Sequence, residues 1–390
     1  MLHHPTELLI ALAALLLFVL IIRLVVGNPN AARHRVRVLR WRIRLYLRPG
    51  PGYANILELA VRWSRLRAVR VGGRSGPSLP WWARLILPVT TYAVRLGRAH
   101  LGRRVIASME DQMLVLAAPR TGKSGWLADR IIDHPGAVVN TTTRTDLFEN
   151  TALLRGRHGV IHVFNPEGIG GLLSTFRWNP LQDCELPAVA LQRAVSLTAA
   201  TEAKGMHDMA FWIGKASTVL ASLMHAAALD GRTMSEVYQW AHGIDDSVPE
   251  QILSAHRGAA DGWLGPIREV RRPGRTADSI RMTVTRALAW LSDPAVAAAT
   301  SPGPGEGFDV TDFVSGRNTL YMIGSGREEA PIAPLFRAFA EYVHAGAAFA
   351  GSVQPHGRLD PPMLMALDEV TRSARSRCRC GWLTAPARAS

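Results

Sequence analysis

Apolar residues fall along this chain in three textures. From Leu8 to Val26 they run unbroken except for Arg23. As a helix those residues would span about 28 Å of a roughly 30 Å hydrocarbon core, and Arg23 sits near one end, where it can reach the interface. The segment has no basic leader and no small-x-small cleavage site, so an uncleaved anchor is expected, with the N-terminus outside and everything after Arg23 in the cytoplasm. The second texture, residues 33–48 (RHRVRVLRWRIRLYLR), interleaves Arg with Val, Leu, Trp and Ile. It suits a headgroup surface, though an exposed strand or helix fits as well. Leu79–Val94 is another apolar run, broken by Arg84 and Pro88, and reads as interfacial rather than as a second crossing.

From about Val105 the pattern becomes that of an α/β domain. Met113–Ala117 (MLVLA) predicts a short buried strand leading into a Gly-Lys-Ser turn, and helical spacing follows over Gly125–Ile132. Further strands are expected at Ala137–Val139 and Val160–Phe164. From Glu185 to about Ala299 the spacing is helical, and the Pro/Gly loop Ser301–Gly307 closes that block. Strand texture returns at Thr319–Ile323 and Met363–Leu367, with a helix around Pro334–Gly346 between them. No internal repeat is visible.

Length and a 48% hydrophobic composition permit a sizeable core and exclude a disordered chain. The net charge of +14 would ordinarily point to nucleic acid. However, 18 Arg and a single acid, Glu58, lie between Arg23 and Arg104, so the region after 105 is close to neutral. Positive-inside orientation and anionic lipid account for that excess without DNA. Cys184, Cys378 and Cys380 form neither a disulfide framework nor a four-ligand zinc set, which fits a reducing cytoplasm.

The sharpest chemistry is Ala117, Ala118, Pro119, Arg120, Thr121, Gly122, Lys123 and Ser124, a Walker A pattern with Ala at the usual first Gly. In such a loop, backbone N–H groups and a helix N-terminus cradle phosphates. Lys123 is expected to reach the β- and γ-phosphates of ATP, and Ser124 to ligate Mg2+. A chance Gly-Lys-Ser turn is the bland alternative, and placement between an apolar strand and a helix argues against it. Met363–Glu369 ends an apolar strand in Asp368–Glu369, as a Walker B element requires. Asp368 would hold the Mg2+ shell and Glu369 would polarise water. Lys123 and Asp368 are 245 residues apart, which demands a large insertion that the helical block supplies.

The order of motifs resembles the TraG/TraD-like coupling proteins of conjugative type IV secretion, relatives of the FtsK-type DNA pumps. The residues that carry it are APRTGKS at 118–124, VVNTTTRTDL at 138–147, VFNPEG at 163–168, RWNPL at 177–181, AFW at 210–212, TLYMI at 319–323 before Ala333-Pro334-Leu335, and LDE at 367–369. The resemblance implies an α/β fold: a RecA-like P-loop ATPase core with a large all-α insertion, preceded by a transmembrane helix. It also implies a homo-hexameric motor that passes DNA or a DNA–protein complex to a membrane channel, with a relaxase or secretion-channel proteins as partners at the cell membrane. The organisation expected is an anchor at 1–30, a basic juxtamembrane region at 31–104, core at 105–184, insertion at 185–307, core at 308–372 and an aberrant tail at 373–390.

Arg144 stands where relatives often carry Lys. A phosphate or subunit contact would suit it, and a solvated loop Arg is the plainer reading. Trp178-Asn179-Pro180 is expected to be a structural corner, and Phe211-Trp212 core packing. After Thr371 the family pattern stops, and Arg372–Cys380 (RSARSRCRC) does not resemble a motor-domain continuation. A frameshift near Arg372 would explain it, would remove the C-terminal strands of the core, and would leave ATP hydrolysis weak or absent. The coding DNA around Arg372 decides that point. A protein-secretion ATPase and a non-hydrolysing nucleotide-binding fragment are the alternative functional readings.

Overall fold

The computed structural model describes residues 37, 40, 56–99, 102–116, 118, 120–199, 209–325 and 332–368. The expected anchor Leu8–Val26, nearly all of 33–48, and the tail 373–390 with Cys378 and Cys380 lie outside the described residues. Among the described residues, no helix is long and apolar enough to cross a membrane.

The chain forms two compact units. The first contains α1 (Ile56–Arg62), the start of α2 (Arg65–Ser75), and most of a two-stranded sheet of β1 (Ala93–Arg98) and β2 (Arg104–Ser108). The Ile106 N–H donates to the Trp63 carbonyl at 3.0 Å, which ties β2 to the junction between the two helices.

The second unit opens with the end of α2 and α3 (Trp81–Ile86). The run Leu79–Val94 is thus a six-residue helix, a 3-10 turn at Val89–Thr91 and the start of β1. Beyond it comes a parallel α/β layer. Its elements are α4 (Lys123–Asp133), β3 (Val138–Thr142), α5 (Asp146–Arg155) and β4 (Ile161–Phe164). A helical series follows: α6 (Pro187–Thr198), α7 (Met209–Leu229), α8 (Met234–Ala241), α9 (Val248–Ala255), α10 (Leu264–Arg271), α11 (Arg275–Ala287) and α12 (Pro294–Ala299). Then come α13 (Val310–Ser315), β5 (Thr319–Ile323), α14 (Ala333–Ser352) and β6 (Leu364–Leu367).

The four strands lie in the order β4-β5-β3-β6. All three pairings are parallel, with Val138 opposite both Thr319 and Leu364, and Ile161 opposite Thr319. Parallel strands covered on both faces lose the polar-apolar alternation of a half-exposed strand. Every residue of β3 and β5 is accordingly buried. On one face Val138 and Ala366 pack with Leu127, Ala128 and Ile131 of α4 and Leu147 of α5. On the other, Val139, Leu320 and Met322 join α14 and the helical series in one large core.

That core is knit by aromatic rings. Phe164, Phe176, Phe308 and Phe339 meet at centroid distances from 4.7 to 5.7 Å. Trp178 is fully buried, 4.9 Å from the Phe339 ring, with the buried Arg193 guanidinium 4.8 Å from its own ring. Arg193 also lies 5.0 Å from the Tyr342 ring and donates to the Pro180 carbonyl at 3.0 Å, so the Trp-Asn-Pro corner is indeed structural. Phe211 departs from expectation. It is 52% exposed and edges onto its neighbour Trp212, because it sits in the first turn of α7, before the helix enters the bundle.

At the N-terminal edge of the sheet lies Arg155, fully buried at the end of α5. Its Nε donates to Thr319 Oγ1 at 2.7 Å and its Nη1 to the His134 carbonyl at 2.7 Å. Its Nη2 donates to the carbonyls of Gly136 at 2.9 Å, Arg317 at 2.8 Å and Asn318 at 3.3 Å. Burial, with the charge of Arg317 nearby, lowers its pKa to about 10. Removing this fork strands several buried carbonyls. Arg155→Met should therefore cost on the order of 3 kcal/mol, read as a fall of several degrees in the thermal unfolding midpoint of the purified chain.

Candidate nucleotide site

Where the candidate P-loop lies follows from how α4 is pinned. His134, just past its last turn, donates from Nε2 to the Pro362 carbonyl at 2.7 Å, and Pro362 precedes β6. The foot of α4 is thereby fixed at the N-terminal edge of β6. Its apolar face (Leu127, Ala128, Ile131) packs on β3 and β6. An 11-residue helix rises about 16 Å, comparable with the roughly 20 Å from Pro362 to Asp368 along an extended chain. Lys123 and Ser124 at its head therefore stand on the same sheet edge as Asp368.

The loop before that head has the backbone of a phosphate cradle. Arg120 and Gly122 adopt left-handed conformations, with φ of 61° and 90°. Thr121 Oγ1 donates to the Ala118 carbonyl at 2.6 Å and closes the turn. Gly122 caps α4 without any side-chain cap, and a Cβ there would meet nothing within 4 Å. Left-handed turns leading into an uncapped helix start converge N–H donors on open space, as an anionic phosphate requires. The Asp368 N–H donates to the Thr141 carbonyl at 2.9 Å, extending the ladder one residue past β6. Beneath this edge, Asn140 Oδ1 and Thr141 Oγ1 are buried without a hydrogen-bond partner among the described residues. The residues present thus fit a nucleotide with Mg2+.

Six of the predicted loop residues, Ala118, Arg120, Thr121, Gly122, Lys123 and Ser124, and Asp368 are placed; Ala117, Pro119 and Glu369 lie outside the described residues. One expectation is overturned. Met113–Leu116 do not form a strand, and Leu114, Val115 and Leu116 are 80%, 42% and 83% exposed. A strand needs a paired neighbour, and the described sheet ends at β6 without engaging this run. Arg144 is exposed on the loop after β3, its N–H directed to Thr142 Oγ1 at 3.3 Å.

A clasp at this edge went unread in the sequence. The Glu167 carboxylate accepts from both the N–H and the Oγ of Ser325, each at 2.6 Å, tying the loop after β4 to the end of β5. Asn165 folds the β4 loop by donating to the carbonyls of Ile169 at 2.9 Å and Leu172 at 2.7 Å. Gly170 lets it lie on Thr145, since a Cβ there would come within 2.7 Å of Thr145 Cγ2. Asn165-Pro166-Glu167-Gly168 entered the sequence reading only as part of the family pattern, and Ser325 as the partner of Glu167 had no local signal.

A sequence profile described as type IV secretory system conjugative DNA transfer matches residues 90–373 of this chain. The chain belongs to that conjugative DNA transfer family. None of the curated proteins compared with this family member matches it significantly. Among solved structures, an unbound form of the bacterial conjugative coupling protein TrwBdeltaN70 is 14% identical with a TM-score of 0.36, covering 61% of this chain and 62% of that one. The plasmid coupling protein TrwB with ADP and Mg2+ gives 14% and 0.36, covering 61% and 64%. TrwB with the ATP analogue ADPNP gives 14% and 0.37, covering 61% and 59%. The chain spans less than two thirds of the length of each.

Burial, opposed by the Pro362 hydrogen bond and aided by Arg155 and Arg317, holds the His134 pKa down at about 4 rather than 6.5. The unfolded chain then binds the extra proton between those values. The stabilisation is complete above pH 6.5 and is lost as pH falls toward 4, up to about 3 kcal/mol. Thermal midpoints recorded across that window should fall for the native chain and less steeply for His134→Gln. At the head, Gly122→Ala should cost about 1 kcal/mol and weaken nucleotide binding about fivefold, by backbone strain alone; titration with a fluorescent ATP analogue reads it.

Proposed function

We propose that this chain is a membrane-anchored, ATP-binding motor subunit of conjugative DNA transfer, coupling ATP hydrolysis to movement of DNA or a DNA–protein complex. The observation that carries the reading is the placement of Lys123 and Ser124 at the head of α4 on the sheet edge where β6 ends in Asp368. Membership of the conjugative DNA transfer family supports DNA as the cargo.

In this reading, the loop N–H groups from Arg120 to Ser124 and the head of α4 hold the phosphates. Lys123 neutralises the β- and γ-phosphates, while Ser124 and Asp368 hold Mg2+, which supplies charge stabilisation at the transferring phosphoryl group. Glu369 orients and polarises the attacking water. The basic stretch between Arg23 and Arg104 keeps the chain at the cytoplasmic membrane face. Hexamers of such chains, with relaxase and secretion-channel partners, would complete the machine.

A second reading, nucleotide binding without turnover, is favoured by one observation: the run Met113–Leu116 that leads into the loop is outside the sheet and exposed. A P-loop without a fixed strand behind it binds phosphate but holds the reacting groups loosely.

Both readings are tested on the full chain in detergent micelles. Mg2+-dependent binding of an ATP analogue should weaken at least tenfold in Lys123→Ala, and phosphate release should rise with added DNA. Binding that is indifferent to Lys123 removes the nucleotide reading. Binding without release at any DNA concentration leaves only the second.

A further inference from the structure

Helix α3 is built inside out. Trp81, Trp82, Leu85 and Ile86 are 66%, 56%, 48% and 77% exposed, while Ala83 and Arg84 are buried. At 100° per residue the four apolar positions share one arc of about 140°. Arg84 occupies the opposite side, where its Nε and Nη1 have no hydrogen-bond partner among the described residues. Gly73 on α2 makes room for it, since a Cβ there would lie 2.2 Å from Arg84 Nη1. A helix facing water would turn the guanidinium outward and the indoles inward.

We infer that the Trp81-Trp82-Leu85-Ile86 face of α3 seats in the headgroup-acyl boundary of an anionic lipid surface. Paired tryptophans are suited to that boundary, where an amphipathic ring meets both lipid and water. The sequence around α3 supplies the charge: 18 Arg against one acid from Arg23 to Arg104, of which Arg74 is exposed at the end of α2. A second copy presenting this same face would bring its basic 23–104 stretch against another, like charge to like, which disfavours a face-to-face pairing through α3 as the occupant. The inference rests on the membrane-attached reading above for where the chain resides, and adds a second, interfacial contact to the anchor.

The test uses the full chain reconstituted in phosphatidylcholine vesicles with and without phosphatidylglycerol. Trp81→Phe/Trp82→Phe keeps the face apolar, so the emission difference between native and double variant reports these two indoles alone. Acyl-brominated lipid should quench that difference about twofold in anionic vesicles, and less without phosphatidylglycerol. If the chain floats with vesicles but the difference emission is not quenched, the α3 contact is wrong and the anchor reading stands. If the chain does not float, both fail. Shielding from aqueous iodide that appears only at high protein density assigns the face to a second copy. Shielding in detergent at every density assigns it to another part of the same chain. Either result overturns the proposal.

Discussion

The guanidinium of Arg155 is the fastening on which the candidate site depends. It is a buried cation that no carboxylate meets among the described residues; main-chain carbonyls and one hydroxyl accept its hydrogen bonds. Those acceptors come from the turn after α4, the start of β3 and the start of β5. A delocalised, weakly hydrated fork that donates in several directions at once is what such a junction needs, and a lysine could not replace it. Because parallel strands rise together from this edge, the register fixed here determines where the loops emerge at the other end.

At that other end the loops are held by smaller ties: the Glu167 clasp on Ser325, the Asn165 turn and the contact of Gly170 on Thr145. The loops after β4 and β5 are therefore cross-tied to one another, whereas Met113–Leu116 lie outside the described sheet and exposed. Side-chain ties and exposure are thus unevenly divided among the described residues around one candidate site.

Much of this was legible in the sequence because it rests on local signals. The apolar runs at Thr319–Ile323 and Val160–Phe164 appear as β5 and β4, since a strand buried on both faces writes itself as continuous hydrophobicity. The α/β class with a parallel sheet follows from strands separated by helical spacing. The strand reading of Met113–Ala117 failed for the complementary reason: an apolar run states what could pair but not whether a partner adjoins it. Arg155 was invisible because one arginine among 42 carries no mark, and its acceptors are backbone atoms that any residue provides. Ser325 was hidden by the 158 residues between it and Glu167.

The hydrogen bond from His134 to Pro362 has a mechanical meaning as well. It makes α4 a lever whose fulcrum is at the foot and whose tip carries the candidate phosphate loop. With an arm of about 16 Å, a tilt of about 5° at the fulcrum would carry the tip roughly 1.4 Å, a displacement large against the tolerance of phosphate coordination. Small rearrangements at the foot would therefore be amplified at the head, against the packing of Ile131 and Ala128 with Val138 and Ala366.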